Sequence, residues 1–249
     1  MLELTHITKV FNRGQANEVV ALQDIGLRVK EGEFVVLVGA NGSGKTTLLD
    51  IIGGAVLPSE GQVRIGGQDV TRMPEHRRSR WVARVFQDPL GGTAPELSIL
   101  DNFRLAALRT SRKTLRIGID DDFKASVREK IAGLGMGLEG KLGQLMGALS
   151  GGQRQALTLL MSTMAHTDIL LLDEPTAALD PRSAEIVLQA AQRIIEQYRL
   201  ATIFITHNLR DAHRFGNRLI HIAGGQAVRD LDEQAKGRLQ LREMYEWFE

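Results

Sequence analysis

The pattern of apolar and polar residues divides the chain into strand-like and helix-like stretches. Two extended stretches, Leu2–Ile7 and Val19–Val29, flank a polar loop at 12–17 and predict an antiparallel edge sheet. The run Phe34–Val38 has no polar position, as expected of a strand buried on both faces. It leads through a glycine-rich turn into the apolar stretch Leu48–Ile52, so this order predicts a strand, a loop and a helix.

Later stretches extend this alternation. The buried-type strands Ile169–Leu172 and Thr202–Ile205 are separated by Ser183–Tyr198, whose apolar residues repeat at helical spacing. Strands that alternate with helices predict a parallel sheet. Between Leu100 and Met164 helical signals dominate, for example at 123–134 behind a candidate capping residue, Asp122.

We therefore expect a single α/β domain with an antiparallel β subdomain at its N-terminus and an inserted α-helical subdomain. The α/β core and β subdomain would comprise 1–87 and 166–231, and the helical subdomain 88–165. One amphipathic helix is expected over 232–249. Its apolar side would consist of Leu239, Met244, Trp247 and Phe248.

Composition narrows the function classes. The 249 residues are 43% hydrophobic and carry 31 basic against 30 acidic side chains, which argues against disorder and against a basic nucleic-acid-binding surface. The absence of cysteine excludes disulfides and thiolate chemistry. Because we find neither a leader nor an apolar run of about 20 residues, we expect a cytoplasmic chain that reaches a membrane only through another chain.

The segment 39–46 matches the pattern G-x-x-x-x-G-K-[ST] between a strand and a helix. Such a loop points backbone N–H groups at phosphate oxygens, and the helix N-terminus adds partial positive charge. Lys45 would reach the β- and γ-phosphates, and the Thr46 hydroxyl would bind Mg²⁺. An ordinary glycine-rich turn is the alternative, which the flanking strand and helix disfavour. The candidate nucleotide-binding residues here are Gly39, Asn41, Gly42, Ser43, Gly44, Lys45, Thr46 and Thr47.

Two adjacent carboxylates, Asp173 and Glu174, end the strand that begins at Ile169. Because the carboxyl ends of parallel strands line the ligand crevice, both side chains should face the phosphates. Asp173 suits a role in holding Mg²⁺, which prefers oxygen ligands. Glu174 is the candidate that polarises the attacking water. Taken alone, such a pair is more often a solvated strand end.

A second glycine-rich turn, Leu149-Ser150-Gly151-Gly152-Gln153, opens a further helix. Ser150 is placed to cap that helix, and a helix start with glycines and a hydroxyl can itself bind phosphate. Ser150, Gly151, Gly152 and Gln153 are therefore candidate nucleotide ligands. One nucleotide can contact both glycine-rich turns only if the surfaces that carry them meet.

This turn resembles the LSGGQ signature of the ABC-family ATPases, and the resemblance runs from Leu2 to about Asp230. It implies a P-loop NTPase core of RecA-like type, ATP and Mg²⁺ as ligands, and a head-to-tail homodimer in which each signature completes the partner's γ-phosphate site. Four more positions match the family's order. Gln87 corresponds to the glutamine that contacts Mg²⁺ and water, and His207 to the switch histidine that contacts the γ-phosphate and orients Glu174. Asp180 corresponds to an aspartate at the dimer seam, and Phe11 to the aromatic that stacks on adenine.

The resemblance also implies partners. The residues after the signature, together with 176–180 and Gly216-Asn217-Arg218, are similar to ATP-binding subunits of binding-protein-dependent uptake systems, such as those for aromatic amino acids. Lys141–Leu149 lacks the acidic, glycine-containing loop common in exporters. We expect integral membrane permease subunits as partners, a solute-binding protein acting indirectly, no nucleic acid, and a position at the inner face of the cell membrane.

Several alternatives remain open at this point. An exporter ATPase, or a soluble ABC ATPase acting on nucleic acid or ribosomes, would share these motifs. A P-loop kinase or GTPase would use the loop at 39–46 but not LSGGQ, and a non-catalytic scaffold would not need Glu174 and His207. The basic cluster Arg77, Arg78 and Arg80 and the acidic run Asp120–Asp122 are interpreted as solvated surface.

Overall fold

The strands and helices of the chain form two sheets with helices around them. The computed structural model describes residues 1–88, 90–110 and 119–248. The strands are β1 (Leu2–Phe11), β2 (Val19–Val29), β3 (Phe34–Val38), β4 (Glu60–Ile65), β5 (Gln68–Asp69), β6 (Val82–Val85), β7 (Ile169–Asp173), β8 (Ala201–Ile205), β9 (Arg218–Ala223) and β10 (Gln226–Leu231). The helices are α1 (Lys45–Gly53), α2 (Glu75–Arg78), α3 (Ile99–Ala107), α4 (Asp121–Ala132), α5 (Gly151–Ser162), α6 (Pro181–Tyr198), α7 (Leu209–Arg214), α8 (Glu233–Arg238) and α9 (Leu241–Glu246).

The chain divides into two compact units. The first contains Met1–Arg84, Asp168–Glu174 and the chain from Ile195 onward. The second contains Val85–Thr167 and Pro175–Ile194. The second unit thus includes a segment, 175–194, that the sequence placed in the α/β core. Residues 111–118 of the expected helical subdomain lie outside the described residues.

The larger sheet has the strand order β10-β9-β3-β8-β7-β6, which confirms the expected α/β class. Strand β8 lies between β3 and β7 and is parallel to both, and β9 is parallel to β3. All five residues of β3, β7 and β8 are buried, as their unbroken apolar runs predict. Because these strands share one direction, their carboxyl ends meet at the same edge of the sheet.

The smaller sheet is antiparallel, with the order β2-β1-β4-β5. Strands β1 and β2 form the pair that the sequence predicts, with register shifts near Ile7 and Lys9. Strand β4 was not predicted, because its sequence Glu-Gly-Gln-Val-Arg-Ile contains only two apolar residues. Both of those residues, Val63 and Ile65, are buried in the core. That core combines apolar side chains of both sheets with Leu48, Leu49, Ile51 and Ile52 of α1.

Arg78 corrects the prediction that the basic cluster is solvated. Arg77 and Arg80 are exposed, but Arg78 is fully buried. Its guanidinium donates to the Ile51 and Ile52 carbonyl oxygens, at 2.5 and 3.0 Å, in the last turn of α1. A cation is favourable there because the last carbonyls of a helix carry partial negative charge. Arg78 thus fixes the end of the helix that begins at Lys45.

The second unit contains α3, α4 and α5. Helix α4 is capped by Asp120, whose side chain accepts from the Phe123 N–H at 2.9 Å, and not by Asp122 as predicted. Asn102 of α3 is buried, and its side-chain amide nitrogen donates to the Ala94 carbonyl oxygen at 2.9 Å. These contacts fix the chain that leads into α3.

The C-terminal segment corrects a second prediction, because 232–249 is not one helix. Helices α8 and α9 are separated by Leu239 and Gln240, whose backbones are extended. The Leu239 carbonyl oxygen lies 2.8 Å from Nε2 of His213 instead of entering a helical hydrogen bond. Of the predicted apolar side, Met244 is fully buried, whereas Phe248 is 39% exposed.

Throughout the described ranges, every helix is too short or too polar to cross a membrane.

Candidate active site

The loop at 39–44 joins β3 to α1 and depends on glycine at two positions. Gly44 has a φ of 103°, a backbone conformation that side chains disfavour, and a Cβ there would overlap the Ala21 carbonyl oxygen. At Gly39 a Cβ would overlap the Ile222 carbonyl oxygen of β9. The loop can therefore turn tightly against β9 and aim the first N–H groups of α1 outward, which makes an anion-binding site.

Lys45 is held within this loop. Its Nζ donates to the carbonyl oxygens of Gly39 and Ala40 at 2.8 and 2.9 Å, and the residue is only 5% exposed. Burial lowers the pKa of Lys45, and the nearby carboxylates of Glu174 and Asp173 oppose that effect. An incoming phosphate would supply the negative charge that favours the ammonium form.

Asp173 lies at the carboxyl end of β7, which pairs directly with β8. The residue is 8% exposed, and its Oδ2 accepts a hydrogen bond from Nη2 of Arg84 at 2.6 Å. A second nitrogen of Arg84, Nη1, donates to Oδ1 of Asp50 in α1 at 2.6 Å. Burial acts to lower the pKa of Arg84, but the hydrogen bonds and charge interactions with Asp50 and Asp173 together outweigh it, so the pKa is raised.

Glu174 and His207 are in direct contact. Nε2 of His207 lies 2.5 Å from Oε1 of Glu174. The two residues follow the ends of adjacent parallel strands, since Asp173 is in register with Ile205. Glu174 has a φ of 48°, in the left-handed region, and its N–H donates to the Ile205 carbonyl oxygen at 3.1 Å. Such backbone strain costs about 1–3 kcal/mol and is concentrated at functional sites.

A cavity of about 200 Å³ lies beside the loop. Its lining combines the phosphate-loop residues Gly39 and Asn41 with His207, three residues that the sequence predicts to contact nucleotide. Leu209, at the start of α7, and Phe248, near the C-terminus, also line it. His207 is 42% exposed at its side chain, so it can reach a ligand in this space.

The first unit also holds the remaining predicted ligands near the N-terminus and in α1. Thr46 is exposed and Thr47 half-buried in the first turn of α1. Phe11 ends β1 and is 36% exposed, with Nζ of Lys9 4.7 Å from its ring centroid. The stacking role of Phe11 stays a prediction.

The signature turn lies in the second unit, where Ser150 caps α5 as predicted. The N–H of Gln153 donates to Oγ of Ser150 at 3.3 Å, and the N–H of Ser150 donates to Oε1 of Gln153 at 3.1 Å. This reciprocal pair is a capping box, which fixes the first turn of the helix. Buried Arg154 supports it from behind, because Nη2 donates to the Leu149 carbonyl oxygen at 3.0 Å.

Asp180 caps the start of α6, and Gly152 of α5 lies against the same helix start. Oδ1 of Asp180 accepts from the N–H groups of Arg182 and Ser183, both at 3.1 Å, at the start of α6. Hydrogen bonding by the Ser183 side chain, and after it by these backbone N–H groups, lowers the pKa of Asp180. A Cβ at Gly152 would lie 2.6 Å from Cβ of Ser183, so glycine permits the close approach of α5 to α6.

Gln87 is exposed in the second unit, two residues after β6. The preceding residue, Phe86, is tied to α5 because Nε2 of Gln155 donates to its carbonyl oxygen at 2.9 Å. The predicted residues thus form two sets. Gln87, Asp180 and Ser150–Gln153 belong to the second unit, and the phosphate loop, the carboxylates, His207 and Phe11 belong to the first.

The donors of the first unit fit Mg²⁺. The Thr46 hydroxyl and the Asp173 carboxylate offer oxygen, which a hard cation prefers. The described residues contain no cluster of three or more His, Cys, Asp or Glu side chains that could hold a metal.

Sequence reasoning missed Arg84, Asp50 and Phe248. A charge within the apolar strand Val82–Val85 was a signal for Arg84, because a charge in a buried strand needs a partner. The contact of Phe248 with this cavity had no local signal, since it depends on the break between α8 and α9.

Comparisons with known proteins match this arrangement. The family model described as "ABC transporter" matches residues 22–177. A tyrosine transport ATP-binding protein of Clostridioides difficile is 35% identical over all of this chain and 99% of its own length. The thiamine import ATP-binding protein ThiQ of a Chelativorans species is 37% identical over 82% of this chain and 78% of its own.

Solved structures agree with the sequence relatives. The dimeric structure of MJ0796, a bacterial ABC transporter cassette, has a TM-score of 0.79 and 29% identity, covering 94% of this chain and 99% of that one. The same cassette in a dimeric post-hydrolysis state bound to ADP and Pi has a TM-score of 0.78 and 28% identity, with the same coverage. The chain described here therefore belongs to the ABC transporter family and is an ATP-binding, ATP-hydrolysing cassette of that family.

Proposed function

We propose that this chain is the ATPase subunit of a solute uptake transporter, and that Glu174 and His207 carry its hydrolytic chemistry. The observation that carries the catalytic proposal is the 2.5 Å contact between Nε2 of His207 and Oε1 of Glu174. A carboxylate that is oriented by a neighbouring imidazole can accept a proton from water as the water attacks phosphorus. Glu174 is the general base in this proposal, and His207 orients it and contacts the γ-phosphate.

The phosphate loop supplies binding and charge stabilisation. Lys45 would exchange its carbonyl contacts with Gly39 and Ala40 for phosphate oxygens, which match its charge better. The loop residues from Asn41 to Thr47 would surround the phosphates with backbone N–H groups. Electrostatic stabilisation of the transferred phosphoryl group is the main catalytic contribution in this chemistry.

Mg²⁺ is the proposed metal, with Thr46, Asp173 and Gln87 as its protein-side partners. When bound, the ion neutralises charge that develops on the phosphate oxygens. Asp173 is suited to this because it is held in one orientation by Arg84. Gln87 is an exposed amide after β6, available to a ligand or to water.

A homodimer accounts for the signature turn. Ser150 is exposed at a capped helix start, which makes a second phosphate-binding device in the same chain. In a head-to-tail pair, Ser150–Gln153 of one copy would complete the γ-phosphate site of the other, with Asp180 at the seam. Two-fold symmetry then places two ATP molecules between the copies, so that hydrolysis removes charge that holds them together.

Coupling to transport is supported by the names of the relatives. The relative that spans the whole chain is named for tyrosine transport, and the next three are named for methionine, phosphonate and thiamine import. We propose a small polar solute, with an aromatic amino acid as the first to test. Permease subunits would hold this chain at the inner face of the membrane, and a solute-binding protein would deliver the solute to them.

The direct test is to purify a tagged chain from native membranes and identify what accompanies it. We expect integral membrane chains in equal amount, and ATP-driven uptake of tyrosine once the complex is placed in liposomes with the solute on the binding-protein side. The matched control is the Glu174→Gln complex, which should assemble but not transport. Solute movement in the opposite direction would establish an exporter, and the absence of any membrane chain would refute the transport assignment.

A further inference from the structure

Arg84 bridges two carboxylates that come from different elements of the first unit. Nη1 donates to Oδ1 of Asp50 in α1, and Nη2 donates to Oδ2 of Asp173 at the end of β7, both at 2.6 Å. The side chains of Arg84, Asp50 and Asp173 are 14%, 28% and 11% exposed. Water therefore screens these charges only weakly, and the two ion pairs are stronger than surface pairs.

The bridge connects the two elements that form the phosphate site. Helix α1 begins at Lys45, directly after the loop, and Asp50 lies five residues further on. Strand β7 ends at Asp173, whose Oδ2 is occupied by Arg84. The second oxygen of Asp173, Oδ1, would be the one that contacts a ligand. Arg84 thereby selects the rotamer of Asp173.

We propose that Arg84 is a positioning residue that sets both the orientation of Asp173 and its affinity for a divalent cation. Asp50, which shares the guanidinium, raises that affinity by neutralising part of the charge of Arg84. The inference rests on the proposed role of Asp173 in holding Mg²⁺. The guanidinium is a fixed positive charge beside the carboxylate, so it opposes a cation there. Asp50 shares the same guanidinium and neutralises part of that opposition.

Substitutions at Arg84 and at Asp50 should change the affinity for a divalent cation in opposite directions. Arg84→Gln removes the positive charge and leaves two carboxylates, so a divalent cation should bind more tightly, although Asp173 is less well oriented. Asp50→Asn keeps an oxygen acceptor for Arg84 but removes the neighbouring negative charge. Arg84 then faces Asp173 alone, and the cation should bind more weakly.

The experiment measures Mn²⁺ binding to the ADP-bound full-length chain by electron paramagnetic resonance, with ADP affinity in EDTA as the metal-free reference. We expect roughly three- to tenfold tighter Mn²⁺ for Arg84→Gln and roughly three- to tenfold weaker Mn²⁺ for Asp50→Asn. ADP affinity in EDTA should change by less than about twofold in both, because neither residue lies in the phosphate loop. Arg77→Gln, at an exposed arginine, is the control and should match wild type.

Arg84→Lys separates charge from geometry. A lysine keeps the charge but lacks the planar fork that reaches both carboxylates at once, so Mn²⁺ affinity should stay near wild type while kcat falls. Thermal melts identify any variant that fails to fold, and the other variants still decide the question. Equal or same-direction shifts in Mn²⁺ affinity for Arg84→Gln and Asp50→Asn would overturn the proposal, because a merely structural bridge weakens both alike.

Asp173→Asn separates this inference from the proposed function. If it weakens Mn²⁺ while Arg84→Gln and Asp50→Asn leave Mn²⁺ affinity unchanged, only the inference fails. If Asp173→Asn itself leaves Mn²⁺ affinity unchanged, the metal role of Asp173 fails with it.

Discussion

Replacing Arg78 with methionine should destabilise the chain far more than the same change at Arg77, one residue earlier. The four hydrogen bonds of Arg78 join α2 to α1 and to the loop before α2. Its nitrogens donate to the carbonyl oxygens of Met73 at 2.8 Å, Thr71 at 2.9 Å, Ile52 at 3.0 Å and Ile51 at 2.5 Å. Methionine fills a similar volume but leaves all four oxygens without this donor.

The size of the effect follows from these contacts. One hydrogen bond to a charged group contributes about 1.5–3 kcal/mol, and bonds made by one side chain do not add. Burial lowers the pKa of the Arg78 guanidinium, so part of the gain is offset by desolvation. We therefore expect a loss of about 3–5 kcal/mol in the free energy of unfolding, as for other broken buried networks.

Thermal unfolding followed by circular dichroism measures this loss. At about 2–4 °C per kcal/mol for a chain of this size, Arg78→Met should lower Tm by roughly 6–20 °C. Arg77→Met should change Tm by less than about 2 °C, because Arg77 is exposed. A Tm for Arg78→Met equal to that of Arg77→Met would refute the inference that Arg78 fixes the end of α1.

Further predictions concern the loop and the tail. Lys45→Met should abolish measurable ATP binding yet leave the nucleotide-free Tm unchanged or higher. Burial of the ammonium group, which lowers the pKa of Lys45, has a desolvation cost, and its removal should offset the lost hydrogen bonds to Gly39 and Ala40. A fall in Tm would contradict this reasoning. Gly44→Ala should weaken ADP binding by more than about tenfold in calorimetry, because alanine disfavours the φ of 103° and overlaps Ala21; unchanged affinity would show that the loop tolerates a Cβ. Burial lowers the pKa of Lys236 to about 8, so the folded chain binds fewer protons than the unfolded chain between pH 8 and about 10.4, and stability should rise with pH there by up to about 3 kcal/mol. Urea unfolding at pH 7.5 and 10 should show this rise in wild type and a smaller one in Lys236→Met; equal rises would contradict it.

The sequence was sufficient to predict site residues where their chemistry is local or follows from strand direction. The phosphate loop was predicted because glycines and Lys45 act within eight residues, and Glu174 was expected to face the phosphates because parallel strands end at one edge. His207 was identified only by its resemblance to the family's switch histidine, and its Nε2 lies 2.5 Å from Oε1 of Glu174. Charges with distant partners were not predictable. Arg78 contacts a carbonyl 27 residues away, and Arg84 a carboxylate 89 residues away, so their surroundings depend on the fold.

The C-terminal segment 232–249 also depends on a contact that its own sequence does not indicate. Its apolar spacing predicts one helix, but the Leu239 carbonyl oxygen is bound by His213 of α7, and the helix divides there. A contact from another element thus overrides the local helical pattern. The cap of α4 moved only from Asp122 to Asp120, because three adjacent aspartates give nearly equal local signals.

The most direct test of the proposed mechanism is ATP turnover and association of the Glu174→Gln chain. The variant keeps the side-chain volume and a partner for His207 but cannot accept a proton, so kcat should fall by about 10²–10⁴-fold while ATP affinity stays within a few fold. Size-exclusion chromatography with light scattering should then show a stable dimer in ATP and a monomer in ADP. Turnover near wild type, or an ATP-bound monomer, would contradict the account.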